Sequence, residues 1–83
     1  MGARAKLPEP LGVLLRSQLE TAIRESALHR DDELIARRCI IDKWAQMDIA
    51  TELGWRRATV GDHLKYILPR VSEVANQIYK ERT

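Results

Sequence analysis

Residues 46–68 read QMDIATELGWRRATVGDHLKYIL, and the spacing of their apolar side chains sets the architecture of the chain. Its apolar residues fall at helical rather than strand spacing: Ile49, Ala50 and Leu53 in one segment, Val60, Leu64, Ile67 and Leu68 in the next. Gly54 and Trp55 stand between them. A glycine there predicts a left-handed residue closing a short helix, because glycine alone adopts that conformation cheaply. A second helix is expected to begin around residues 56–58. Ala50 is then small enough for the two helices to approach closely, and Ile49, Leu53, Trp55, Val60 and Leu64 fill the angle between them. This is the spacing of a helix, a turn and a helix, with the outward side chains of the second helix held clear of the core.

Outward from that stretch the helical pattern continues. Upstream, Leu11, Leu14, Leu15, Gln18, Leu19, Ala22 and Ile23 trace one stripe, and Pro10 suits a first helical turn, so a first helix is expected from near Pro10, fading around residues 27–30. Asp31 offers an N-cap to a second helix, with Asp32 and Glu33 favourably placed in its first turn. Leu34, Ile35, Ala36, Arg38, Cys39, Ile40 and Ile41 carry that helix towards Trp44. Downstream, Val71, Val74, Ala75, Ile78 and Tyr79 continue the phase of Leu64, Ile67 and Leu68 beyond Pro69. Proline there predicts either a kink or the start of a new helix, and a fifth helix is the favoured expectation, with residues 80–83 frayed. Alternation of polar and apolar residues is missing, so the expected class is all-α, with four to five helices. Residues 10–83 would form this single domain after a flexible basic segment over residues 1–9.

The chain has 83 residues, which allows one core and excludes a multidomain enzyme. At 45% hydrophobic and 31% charged it fits neither a disordered tail nor a membrane protein. No uncharged apolar run approaches the roughly 18 residues of a membrane span, and the start lacks the apolar stretch of a secretory signal. Cys39 is the only cysteine, so an internal disulfide or a structural zinc site is not expected. A cytoplasmic location agrees with these features.

The net charge of +2 carries no argument by itself, but its distribution does. Residues 31–52 hold three basic and six acidic side chains, whereas residues 53–72 hold Arg56, Arg57, Lys65 and Arg70 against Asp62 alone. That concentration predicts a one-sided basic surface, set against the simpler reading of a solvated helix face.

DIATELGW at residues 48–55 and TVGDHLKYIL at residues 59–68 resemble the tetrahelical helix-turn-helix of sigma factor domain 4 and of LuxR-type response-regulator output domains. The resemblance covers about residues 31–71, half of the chain. It is carried by Ile49-Ala50, Leu53-Gly54 and Thr59-Val60 followed by His63-Leu64. Arg56 stands where those domains usually have a Ser or Thr cap, and the Leu-Thr-x-Arg-Glu opening of the LuxR type is absent before Ala36. The sigma-like branch, with its small phage and mobile-element regulators, accommodates both departures better.

The resemblance implies a transcriptional regulator that binds double-stranded DNA sequence-specifically, with the helix at about residues 56–68 in the major groove. Arg56 and Arg57 are then the expected readers of guanine O6 and N7, Gly61 leaves room for close approach, and Asp62 and Lys65 follow on the exposed face. Thr59 and Gln46 are assigned to phosphates or base edges, since one begins the inserted helix and the other the helix that crosses the backbone. The alternative is a protein-interaction module on the same scaffold, binding RNA polymerase or another regulator. A homodimer through the two flanking stripes is a further expectation, matching half-sites about 34 Å apart. No cofactor and no membrane partner is expected, and no nucleophile and base, metal cluster or glycine-rich phosphate loop supports an enzyme.

Several residues have an ordinary reading beside the functional one. His63 is either a packing residue or a phosphate contact, His29 a helix-end residue, and Trp44 and Trp55 core side chains rather than stacking platforms. Arg37 and Arg38 are expected on a solvated or partner-facing side. Arg4 and Lys6 belong either to a minor-groove arm or to a terminus without a role.

Overall fold

In the computed structural model, which describes residues 7–79, four α-helices follow one another: α1 (Arg16–Glu25), α2 (Arg30–Ala36), α3 (Gln46–Leu53) and α4 (Arg57–Tyr79). The domain is all-α, and no strand occurs among the described residues. Arg4, Lys6 and residues 80–83 lie outside them. No helix of the described residues is long and apolar enough to cross a membrane.

The junction of α3 and α4 forms as the sequence predicts. Gly54 takes φ 71° and ψ 27°, and its N–H reaches back to the Thr51 carbonyl while Trp55 N–H reaches that of Ala50. These bonds satisfy carbonyls that the helix end would otherwise orphan. The Arg56 carbonyl then accepts the first helical bonds of α4, from Thr59 at 3.0 Å and Val60 at 3.2 Å. Three residues therefore separate the helices. Ile49 and Ala50 of α3 are buried with Val60 and Leu64 of α4, and Leu53 and Trp55 pack against the same core.

The start of α1 departs from expectation. Residues 9–14 form turns rather than a helix from Pro10, with Leu11 N–H on the Pro8 carbonyl and Val13 N–H on that of Pro10. Leu11 is fully buried and the Ser72 hydroxyl donates to the Glu9 carbonyl at 2.6 Å, so tertiary anchoring overrides the helical pattern here. The helix begins five residues later than the stripe, at Arg16, where Gln18 Oε1 accepts the Leu15 N–H at 2.9 Å.

The second helix starts earlier than expected, with His29 rather than Asp31 in the cap position. Asp31, Asp32 and Glu33 nevertheless occupy its first turn, where negative charge is favourable. Beyond Ala36 the chain widens into a π-helical segment, Arg37–Ile41, closed by Asp42 N–H on the Arg37 carbonyl. Lys43 then takes φ 63° and ends the run before Trp44.

A separate fifth helix does not form. Pro69 lies inside α4, which runs unbroken from Arg57 to Tyr79. Interior proline costs about 3 kcal/mol, through its missing N–H and a clash with the carbonyl four residues back. Lys65 and Pro69 are both exposed, so the unpartnered carbonyl lies on the watered side. On the opposite side Ile67, Val71, Val74 and Ala75 are buried, and each apolar side chain of Val or Ile size contributes about 1.5–3 kcal/mol for staying in phase. The stripe of α1, with Leu19, Ala22 and Ile23, is buried in the same core. Most of both flanking stripes is thus covered within one chain, while Leu15 of the first stays 67% exposed.

Candidate nucleic-acid interface

The buried positions of α4, Val60, Leu64, Ile67 and Val71, fix which residues face out. Arg57, Gly61 and Lys65, four residues apart, make one stripe on the helix surface, with Ala58 and Asp62 beside it. Arg56, in the turn, is exposed next to its upper end. Among the described residues neither Arg56 nor Arg57 makes an ion pair. Lys65 Nζ lies 3.8 Å from Asp62 Oδ1, with both side chains more than 70% exposed, a geometry that water screens and that contributes little stability.

Gln46, the first residue of α3, meets this stripe at Gly61. A Cβ built on Gly61 would stand 3.1 Å from Gln46 Oε1, so the missing side chain is what lets the amide lie against the helix. The room expected at Gly61 for a ligand is in this structure shared with Gln46. Gln46, Arg56, Arg57, Gly61, Asp62 and Lys65 are therefore gathered on one side of the junction. Thr59 is not: it lies half-buried on the other flank of α4, in line with His63 and Tyr66.

The remaining arginines are engaged elsewhere. Arg38 grips Glu52 with two parallel bonds, Nε to Oε1 at 2.9 Å and Nη2 to Oε2 at 3.1 Å, and Nη1 reaches Asp42 Oδ2 at 2.9 Å. Its guanidinium also lies 4.6 Å from the centre of the Trp44 ring. These bonds raise the guanidinium pKa above its already high value, and they hold the Glu52 carboxyl below the usual carboxylate range. Arg37 lies 3.8 Å from Glu20. Arg70, which the sequence grouped with the basic stretch, donates from Nε to the Ser26 carbonyl at 3.2 Å and ties α4 to the end of α1.

Trp44 and Trp55 pack against the core, as the ordinary reading has them. Cys39 is buried, and loss of hydration pushes its thiol pKa up, which leaves it poorly nucleophilic. Among the described residues no three His, Cys, Asp or Glu side chains are grouped to hold a metal ion.

A cluster that the sequence did not announce lies on the second flank of α4. Asp32, buried at the start of α2, accepts a bond from Tyr66 OH on Oδ2 and has Oδ1 2.7 Å from His63 Nδ1. The Tyr66 hydroxyl lies 3.2 Å from the same nitrogen, and the His63 ring is 5.0 Å from that of Trp55. The bond to Asp32, helped by partial burial, holds the Tyr66 hydroxyl pKa above its ordinary value. Asp32 is 31 residues from His63, so no local spacing marks the pair. The one sign in the sequence is an acidic first turn with more carboxylates than a helix start needs.

Family models, curated proteins and solved structures yield no match to this chain.

Proposed function

We propose that the chain is a sequence-specific, double-stranded DNA-binding regulator of transcription whose first half of α4 enters the major groove as a helix-turn-helix recognition helix. The observation that carries this is the contrast among its arginines. Arg37 and Arg38 are paired with carboxylates, whereas Arg56 and Arg57 stand without an ion-pair partner among the described residues, beside an exposed stripe on a helix that its core holds in place. Unpaired guanidinium groups cost nothing to detach before they meet a base or phosphate.

The chemistry of the stripe fits base edges. Arginine donates two parallel bonds to guanine, glutamine pairs with adenine N6 and N7, and a carboxylate such as Asp62 accepts from cytosine N4. Each good two-bond contact contributes about 1–3 kcal/mol of discrimination. The likeness of residues 48–68 to sigma factor domain 4 supports the same reading, and a cytoplasmic location follows from it.

Titration of duplex DNA at several salt concentrations tests the proposal. Affinity should fall with a log–log slope of about −0.9 per neutralised phosphate, and Arg57→Ala should flatten the preference among sequences while the fold persists. A shallow slope, with no change in Arg57→Ala, would sink it.

The rival reading, a module that docks on RNA polymerase or another protein, draws on one observation. Val13 and Leu15, in the turns ahead of α1, are 70% and 67% exposed. Substituting both with serine should leave DNA affinity unchanged if DNA is the principal partner. A homodimer through the first flanking stripe would use the same surface, since Leu15 belongs to that stripe and stays exposed.

A further inference from the structure

The two flanks of α4 are not alike, and the difference matters for a helix in a groove. A major groove about 12 Å wide has a phosphate strand along each edge. Gln46 lies on one flank, at Gly61. The other flank faces the start of α2 across an open groove of about 480 Å³, lined by His29, Arg30 and Asp31 on one side and by Trp55, His63 and Tyr66 on the other, with Asp32 between.

His63 is oriented within that groove by its bonds. Asp32 can only accept, so His63 Nδ1 carries the proton and donates to it. The second ring nitrogen, Nε2, makes no hydrogen bond among the described residues, and no buried side-chain nitrogen or oxygen there lacks a partner. Nε2 is therefore reached by solvent, consistent with a side chain that is 32% exposed. Nδ1 donates to Asp32 whether the ring is neutral or protonated, with a charge-assisted bond in the second case. Only Nε2 changes, from acceptor to donor, and a phosphate oxygen can bond only to the donor.

The charges facing the ring point the same way. Arg30 against Asp31 and Asp32 leaves the groove negative by one while both imidazoles are neutral, and positive by one when His29 and His63 are both protonated. Tyr66 stays a neutral hydroxyl throughout that range.

We infer that this groove is a second DNA contact, in which protonated His63 donates from Nε2 to a backbone phosphate on the strand opposite Gln46, so that DNA affinity rises as the imidazole gains its proton. The inference rests on the DNA-binding reading above. It makes Asp32 a positioning residue, which fixes the tautomer and aims the ring, and it gives the protein a pH-dependent grip separate from base reading.

The test compares affinity for a short mixed-sequence DNA duplex between about pH 8 and pH 5, the range in which imidazoles titrate, for the wild type, His63→Gln and His29→Gln. The wild type should tighten by about tenfold more than His63→Gln on acidification, the scale of one charge-assisted bond. Its salt slope should also steepen by about 0.9 at the acidic end, as one more counterion is released. His29→Gln should keep most of the response. Nitrogen NMR of the His63 ring in the unaltered protein gives a second readout: at acidic pH the duplex should shift Nε2 and leave Nδ1 little changed. An identical pH response in His63→Gln, or an unshifted Nε2, overturns the inference while leaving DNA binding intact. No binding at either pH would overturn the DNA reading and this contact with it.

Discussion

Gly61 and Gln46 meet so closely that a single methyl group on Gly61 would press on the Gln46 amide, at 3.1 Å from Oε1. Gly61 sits within α4 with its backbone in helical conformation, so nothing about its dihedral angles requires glycine. Alanine is favoured over glycine in a helix interior by about 0.8–1 kcal/mol, and the Gln46 side chain is long and partly exposed, free to give by a few tenths of an ångström. Gly61→Ala should therefore raise stability by about 0.5–1 kcal/mol in chemical denaturation, while DNA binding weakens because Gln46 is displaced from the stripe. A loss of stability would mean that Gln46 is held in place by more than this contact.

Arg56 occupies the cap position of α4 without a side-chain oxygen to accept from the first helical N–H groups. Arg56→Ser supplies that oxygen, and a good N-cap contributes about 1 kcal/mol. The expected result is a more stable domain with weaker DNA binding. Opposite signs for the two quantities would indicate that arginine is kept there at a cost to the fold; a fall in both would indicate a structural role for Arg56 that its exposure does not reveal.

The forked bond from Arg38 links the π-helical segment to α3, and it makes acid stability a readout of Glu52. The Glu52 pKa is lowered in the folded chain by that bond, so its contribution is present above the ordinary carboxylate value of 4.5 and is lost as pH falls through the lower folded value. Thermal unfolding of Glu52→Gln should show a deficit at neutral pH that closes on acidification below about pH 4. A deficit independent of pH would assign the effect to packing instead.

Tyr66 provides the alkaline counterpart. Its pKa is raised above 10.0, chiefly by the bond to Asp32, so the stability it confers is present below the unfolded value and lost as pH rises through the folded one. Ultraviolet titration should resolve a phenol that ionises later than ordinary tyrosine. Asp32→Asn should bring it back towards the ordinary value; an unchanged titration would place the cause in burial alone.

Ala27 follows α1 with φ 54°, in the left-handed region that alanine occupies at a cost of about 1–2 kcal/mol. Ala27→Gly should gain about 0.5–1 kcal/mol after glycine's larger loss of chain entropy is offset. Equilibrium denaturation would show this as a shift in midpoint without a change in slope.

What the sequence made legible was what short-range chemistry controls. α3, the left-handed Gly54 and the start of α4 depend on residues a few positions apart, and all three stand where the pattern puts them. The beginning of α1 depends on Leu11 being buried and on Ser72 reaching Glu9, 63 residues away, so a good helical stripe was overridden from a distance. Pro69 reads as a break because local rules ignore the buried row on the far side of the helix. The gathering of Gln46, Arg56, Arg57, Gly61, Asp62 and Lys65 was within reach of the sequence once the turn was placed. The bond between Asp32 and His63 was not, since neither residue carries any mark of the other.

Whether the first half of α4 reads bases is decided by selection of bound sequences from a random DNA pool, run beside an Arg56→Ala, Arg57→Ala double variant whose fold is checked by circular dichroism. The wild type should enrich a defined motif and the folded variant should not, which would make the first half of α4 a reader of bases. Failure of both to enrich any sequence would contradict that role, and would leave the junction of α3 and α4 as a scaffold for some other surface of the molecule.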